Sequence, residues 1–399
     1  MRVCGIIAEY NPFHNGHKYQ IDKIRQIGFD GVVAVMSGNA VQRGEFAILE
    51  KHVRAQQALL NGVDLVIELP LPFAVSSAER FATGGVSILE SLGVVDSICF
   101  GSECGDIEKL KRIADYDVDD KISDYLSEGI SYASALSGMI ETELGKEYAD
   151  IVSEPNNMLG IEYLRALKTF SSKMSAFTIK REGAGHDDLT PENGFCSAQF
   201  LRNNIESDVI AQYMPESSYE LLKTAIKIGE APVRLENNEA VVLSALRMKD
   251  AAFFSQLQNI SEGIENRLNT AVRNACSLEE LYSLIKTKRY TMTRVKRLVL
   301  NAFLGITNEY SLTYPPYIRV LGFNENGREI LRNAKLTSSK PICTLYSNFE
   351  SLDEDSKKYY MLECKATDLF YCFTPEIGPC GIEQTESAVI VKLFGLLDS

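Results

Sequence analysis

The first half of the chain alternates short, nearly unbroken apolar runs with longer stretches in which apolar side chains recur every three or four positions. The runs "VCGIIA", "GVVAVM", "VDLVIEL", "VDSICFG" and "SAFTIKR" predict strands at 3–8, 31–36, 63–69, 95–101 and 175–181. They carry no polar alternation, as expected of strands covered on both faces. The stretches between them predict helices at 17–28, 50–61 and 74–92, the last stopped by Gly93. Strand and helix in alternation mean βαβ units, and so a Rossmann-like, doubly wound parallel α/β sheet. From about residue 208 the spacing turns mainly helical, as in "SYELLKTAIKIG" and "TRVKRLVLNAFLG". After about residue 311 short strand-like runs ("YIRVLGF", "PICTLYS") mix with helices. The predicted domains are therefore 1–207, 208–310 (mainly helical) and 311–399 (small, mixed α/β).

Open parallel sheets bind ligands beyond the carboxyl ends of their strands, at the point where strand order reverses. The segments after the predicted strands are "EYNPFHNGH", "SGNAVQRGE", "PLPFA", "GSECGD" and "REGAGHDD". Four of them combine glycine with polar groups, "PLPFA" adds a proline turn, and together they suggest one pocket.

Composition narrows the class only slightly. A chain of 399 residues, 45% hydrophobic and 24% charged, is ordinary for a folded protein. No apolar run approaches the ~18 residues of a membrane span, and the first run stops at Glu9, too short for a signal-peptide core. Nine cysteines without a C-x-x-C pair read as reduced thiols, and Cys372 and Cys380 fit no common zinc spacing. The expected location is the cytoplasm, with no membrane partner. The net charge of −13 excludes a general nucleic-acid footprint but not a local one.

The chain has four histidines, and two of them, His14 and His17, share one turn. A strand, then His14-Asn15-Gly16-His17, then a helix is a phosphate-site arrangement. Gly16 lets a backbone approach closely, and the helix start offers free N–H groups and a positive dipole end. Two imidazoles there can stabilise charge developing on an α-phosphate and on leaving pyrophosphate. The bland alternative is two surface histidines at a helix cap.

The stretch "NPFHNGH" resembles the H-x-G-H signature of the nucleotidyltransferase superfamily, which implies a nucleotidyltransferase-type sheet and adenylylation with release of pyrophosphate. The superfamily's second signature, S-x-T-x-x-R, is matched by "SAQFLR" in Ser197 and Arg202, while Gln199 departs from the threonine. Ser197 can cap a helix and Arg202 can reach a β- or γ-phosphate. Longer runs in order, "AEYNPFHNGH", "MSGNAVQRGEFAILEKHVRAQQAL", "GVDLVIELPLPFAVSSAERFA", "CFGSE", "EPNNMLGIEYLRAL", "IKREGAGHDD" and "TKRYTMTRVKRLVLNAFLGI", resemble the bacterial tRNA(Met) cytidine acetate ligase family. That resemblance implies ATP as co-substrate and acetate activated as acetyl-adenylate; Mg²⁺ is expected with ATP for charge compensation. It further implies transfer of the acetyl group to N4 of the wobble cytidine of elongator tRNA(Met), without acetyl-CoA. By matched position it places the ATP site on Ile7, Ala8, Glu9, Tyr10, Asn11, Pro12, Phe13, His14, Asn15, Gly16, His17, Lys18, Tyr19 and Gln20, with Gly101, Asn156 or Asn157, and Arg181. His14 and His17 would be catalytic.

Each of the outlying positions has a plain alternative: a turn glycine, a helix cap, a surface arginine. Arg43 and Lys51 could meet phosphate or tRNA. Glu68 could orient a loop or cap a strand, and His52 reads as a helix-surface residue. His186 and Asp187 could lie near an acetyl acceptor or in a solvated loop. Lys286, Lys288, Arg289, Arg294, Lys296 and Arg297 form a basic segment uninterrupted by acid, with Tyr290 among them to stack on a base. A solvated helix face is the alternative. Two other functional classes fit part of the pattern: an adenylyltransferase making a nucleotide coenzyme, and a non-catalytic RNA- or nucleotide-binding protein on the same scaffold.

Overall fold

In β2 (Gly31–Ser37), Val33 and Val35 enter one apolar core while Val32, Ala34 and Met36 enter another. That two-sided burial is why the run lacks polar alternation. The computed structural model describes residues 1–116, 132–182, 194–258, 260 and 263–392. Its centre is β1 (Val3–Ala8), flanked in parallel by β2 and by β6 (Ser97–Ser102). Strand β5 (Leu65–Leu69) continues beyond β2, and β7 (Ser175–Lys180) beyond β6. A short antiparallel hairpin, β3 (Ala40–Val41) with β4 (Glu45–Phe46), rises after β2.

Helices Asn15–Gln26 and Lys51–Leu60 cover one face; Ala78–Leu92 and Pro155–Thr169 cover the other. Ser77 caps Ala78–Leu92 and Gly93 closes it in the left-handed conformation, φ 68°. The chain thus reverses direction across the sheet at β1, between β2 and β6, and the cleft opens there.

The C-terminal strands do not make a sheet of their own. Strand β8 (Ile318–Phe323) pairs antiparallel with β5, and β9 (Ile342–Cys343) and β10 (Val389–Ile390) pair with β8. Among the described residues this gives an eight-stranded sheet ordered β10-β8-β5-β2-β1-β6-β7, with β9 on β8. The parallel sheet expected of the first half thus gains an antiparallel neighbour, β8, from the C-terminal region. Strand β5 would otherwise expose unpaired backbone groups, and β8 supplies the ladder.

Residues 208–310 are mainly helical, as the spacing predicts, around a core that includes Leu243, Val272, Leu281 and Val299. The same core takes in Ala40 and Phe46 of the hairpin. Phe46 meets Phe370 and Phe373 with ring centroids 5.5 and 5.6 Å away. Through this plug the helical region sits against the carboxyl edge of the sheet.

Two polar expectations fail here. Lys51 is fully buried, 2.7 Å from Glu68 and 2.8 Å from Glu383, so it is not placed to meet phosphate or tRNA. Arg319 pairs with the same two carboxylates. Glu68 is thus part of a buried ion network joining the helix Lys51–Leu60, β5, β8 and the helix Ile382–Thr385. His52 is buried too, its Nδ1 3.0 Å from Glu50, the N-cap of its helix. The C-terminal segment that roofs these side chains is invisible to local periodicity.

Candidate functional site

Beyond β1 the chain turns sharply. Tyr10 takes a left-handed φ of 46°, and the Asn11–Pro12 peptide is cis. His14 is extended (φ −141°, ψ 175°) and caps the helix Asn15–Gln26. Its Nδ1 accepts the Gly16 N–H at 3.0 Å, and the His17 Nδ1 accepts the His14 N–H at 3.2 Å. The two rings stack, centroids 3.7 Å apart at 24°. Since each Nδ1 is an acceptor, each neutral ring carries its proton on Nε2.

Both rings are held neutral. Burial, with Arg181 and Arg202 nearby, pulls His14 down to about 3. Burial, then His14 and Arg181, puts His17 well below the usual histidine value. The turn therefore presents two preorganised N–H donors rather than an acid or a base. The first helical turn holds no acidic residue to oppose an anion.

These groups open into a cavity of about 500 Å³, within the range that holds small-molecule ligands. From the predicted run it gathers Ile7, Ala8, Glu9, Tyr10, Asn11, His14, Gly16, His17, Tyr19 and Gln20. Pro12, Phe13, Asn15 and Lys18 are not part of the lining. Phe13 is buried core, Asn15 Nδ2 donates to the Gln212 carbonyl at 3.0 Å, and Lys18 pairs with Asp22.

Gly101 lies on the opposite wall, near the end of β6; a Cβ there would come 3.3 Å from Arg181 Cγ. The glycine thus leaves room for the Arg181 side chain, which also lines the cavity. The two asparagines separate. Asn156 lines the cavity and donates to Glu103 Oε1 at 2.6 Å. Asn157 is buried, its Oδ1 accepting the Cys104 N–H at 3.1 Å and its Nδ2 donating to the Ile151 carbonyl at 3.0 Å.

Ser197 caps the short helix Ala198–Asn203, accepting the Phe200 N–H at 3.0 Å. Arg202 lines the cavity and donates to the Asn11 carbonyl at 2.9 Å and to Gln199 Oε1 at 2.7 Å. Gln199, the departure from the superfamily's threonine, therefore aims the arginine. Arg43 also lines the cavity; His186 and Asp187 lie outside the described residues. Sequence reasoning missed an apolar floor of Ala78, Phe81, Phe100, Leu159 and Tyr163. On two helices and a strand these residues carry only the periodicity of core positions, so no local signal marks them.

The basic segment is not remote from this cavity. Thr293, near the start of the helix Met292–Leu304, is in the lining. Lys296 pairs with Glu45 of the hairpin, and Arg297 donates to the Gln42 carbonyl at 3.2 Å. Burial, with Arg294 close by, lowers the Arg297 guanidinium to about 10. A Cβ on Gly44 (φ 79°) would fall 2.3 Å from the Arg297 nitrogen, so hairpin and helix touch backbone to backbone. Lys286 Nζ donates to the Tyr290 carbonyl at 2.8 Å. Tyr290 is buried, with Arg294 4.7 Å over its ring, so the exposed stacking face expected of it is absent. Lys288 is exposed and Arg289 partly so.

The sequence matches the HIGH Nucleotidyl Transferase family model over residues 1–384. It is 39% identical to the tRNA(Met) cytidine acetate ligase of Acetivibrio thermocellus, across 98% of this chain and 100% of that one. It is 44% identical to the enzyme of that name from Caldicellulosiruptor saccharolyticus, across 84% and 85%. The chain belongs to the tRNA(Met) cytidine acetate ligase family. The structure agrees with this: Thermotoga maritima TmcAL in its apo form superposes with a TM-score of 0.91 at 34% identity, covering 98% of this chain and 100% of that one. The form of that protein bound with alpha-thio ATP superposes with a TM-score of 0.89 over the same coverage. The family assignment makes the chain an enzyme, a ligase on a nucleotidyltransferase α/β fold. Among the described residues no helix is long and apolar enough to cross a membrane.

Proposed function

We propose that this enzyme uses ATP to activate acetate as acetyl-adenylate and passes the acetyl group to N4 of the wobble cytidine of elongator tRNA(Met), acetyl-CoA taking no part. The observation that carries the reading is the stacked, neutral His14–His17 pair, with both Nε2–H groups free to donate at a helix start beside Arg181 and Arg202. An acetate oxygen attacks the α-phosphorus, and the bond to the β-phosphate oxygen breaks with release of pyrophosphate. Charge grows on the equatorial oxygens and on the leaving group, and the imidazole donors and guanidinium groups meet it. Tyr10, Asn11, His14, Gly16, His17 and Gln20, with Gly101, Asn156 and Arg181, would hold the nucleotide, and Arg202 would hold its outer phosphates.

Magnesium is expected with ATP as its counter-ion, but the described residues do not build it a protein site. Among them no group of three or more His, Cys, Asp or Glu could hold a metal ion, and the charges acting on the two histidines are the guanidinium groups of Arg181 and Arg202. They suit phosphate oxygens.

The basic segment Lys286–Arg297 is the proposed tRNA surface, and its contact with the cavity wall through the hairpin favours an RNA acceptor over a free coenzyme precursor. A cytoplasmic setting follows from these substrates. The test is nucleoside mass spectrometry of elongator tRNA(Met) incubated with enzyme, ATP and acetate, together with pyrophosphate exchange into ATP. N4-acetylcytidine and acetate-dependent exchange are the expected results. Exchange that ignores acetate would point to another adenylyltransferase. No turnover despite nucleotide binding would point to a binding protein on this scaffold.

A further inference from the structure

The cavity is larger in kind than an adenylate site, because it has a second, differently built end. Beneath the hairpin, Ile7, Phe81 and Tyr163 make an apolar floor, and Phe100 adjoins Tyr163 with ring centroids 5.6 Å apart. At the edge of this floor stands Glu9, the first residue after β1. Its position is built. Arg54, fully buried, donates to the Glu9 carbonyl at 2.6 Å and to the Ser37 carbonyl at 3.1 Å, tying the end of β1 to the end of β2. The Gln42 N–H of the hairpin donates to Glu9 Oε1 at 2.7 Å and fixes the carboxylate's orientation. Among the described residues that is the hydrogen bond this carboxylate makes, and the group lines the cavity.

The rest of the described lining is the wrong chemistry for taking a proton. Arg43, Arg181 and Arg202 are cations, and both histidines use Nδ1 as an acceptor and carry the proton on Nε2. The other carboxylate in the lining, Glu182, accepts the Tyr19 hydroxyl at 2.8 Å on the exposed rim. Acyl transfer to an exocyclic amine must release a proton. The amine of cytosine is a weak nucleophile because its lone pair is shared with the ring. Its N–H groups are what a carboxylate reads on this base.

We propose that the floor beneath the hairpin is the subsite for the acceptor cytosine and that Glu9 is its catalytic base, holding the exocyclic amine and taking its proton. The assignment rests on the acetate-activating reading above. In the step, the amine nitrogen bonds to the acetyl carbon, the bond from that carbon to the adenylate oxygen breaks, and AMP leaves with the electron pair. The N–H proton goes to the Glu9 carboxylate, which later loses it to water. The subsite lies where an RNA strand would arrive, since the hairpin that roofs it is packed against the basic helix by Arg297 and Lys296. Desolvation in this wall raises the Glu9 carboxyl above its ordinary value, against the Gln42 N–H and nearby arginines, in the direction that suits a base at neutral pH. The Tyr163 phenol is raised by burial and then by the Glu9 charge, which places carboxylate and floor side by side.

The experiment is a chase. Enzyme is preloaded with ATP, labelled acetate and pyrophosphatase, then mixed with elongator tRNA(Met), and single-turnover acetylation is followed beside acetate-dependent pyrophosphate exchange. Glu9→Gln keeps an oxygen for the Gln42 N–H but cannot take the proton. Transfer should fall about 100-fold or more, with exchange falling at least tenfold less, and Glu9→Asp should regain part of the loss. Transfer within about fivefold of wild type would overturn the proposal and leave the adenylate's own phosphate as the base. An equal fall in transfer and exchange would assign Glu9 to ATP instead. Should Glu9→Gln not fold, the pH profile of wild-type transfer decides, since the adenylate phosphate stays ionised throughout: a rising limb with an ionisation above the usual carboxylate range supports Glu9 as the base, and a flat profile overturns it. Wild-type enzyme without acetate-dependent exchange would refute the acetate reading itself, a result separate from any variant's.

Discussion

His17 does two jobs that the structure allows to be separated. Its Nδ1 accepts the His14 N–H at 3.2 Å and so closes the helix start, while its Nε2–H faces the cavity. His17→Ala removes both. The lost capping bond should cost about 1 kcal/mol of stability. The lost donor to transition-state charge should cost roughly 3–4 kcal/mol, a fall of about two to three decades in the activation rate. His17→Asn divides the two. Asparagine Oδ1 stands where Nδ1 stood and can accept the same N–H, but no atom reaches the place of Nε2. Stability should return to within about 0.5 kcal/mol of wild type while the rate stays down. The assays are guanidinium unfolding and acetate-dependent pyrophosphate exchange. If His17→Asn regains rate along with stability, the residue is a cap and its catalytic role is wrong. Exchange by folded His17→Ala within about fivefold of wild type would refute it as directly.

Four further expectations follow from the same geometry. His14 is neutral when folded, lowered from 6.5 to about 3, so the unfolded chain binds its proton first as the pH falls. Its contribution is complete above 6.5, is lost progressively toward 3, and levels off below; His14→Asn should flatten the acid limb of unfolding measured against pH. Gly101→Ala puts a Cβ 3.3 Å from Arg181 Cγ and should raise the KM for ATP by about tenfold by displacing one phosphate contact, read from exchange at varied ATP. Lys51→Met leaves Glu68 and Glu383 buried with Arg319 alone and should cost about 3–5 kcal/mol in denaturant unfolding. Lys288→Ala with Arg289→Ala should lower tRNA affinity and reduce the log–log salt slope by about one per lost contact, while exchange persists; an unchanged slope would remove this segment from the RNA surface.

What the sequence determined by itself is what local physics can encode. Two-sided burial writes unbroken apolar runs, so β1, β2, β5, β6 and β7 were legible to within a few residues. Turn and cap chemistry is local as well. His14 and Gly16 sit two residues apart and bond each other, so the histidine turn and the capped helix at Ser197 could be named from their order alone. What only the tertiary structure decided depends on partners far along the chain. Nothing near Ile318 says that β8 will pair with β5, because its apolar run serves a separate sheet equally well. Asn156 and Asn157 are adjacent, and the register of one helix turns the first toward the cavity and buries the second. Lys51 and His52 look like surface residues until Glu383 pairs with the first and Tyr346, Tyr360 and Ala388 stand beside the second. The basic segment lies far along the sequence from the histidine turn, yet Arg297 reaches Gln42, whose neighbour Arg43 lines the same cavity. Burial of a polar side chain is a property of what packs over it, and for these residues the cover comes from elements dozens to hundreds of positions away in the sequence.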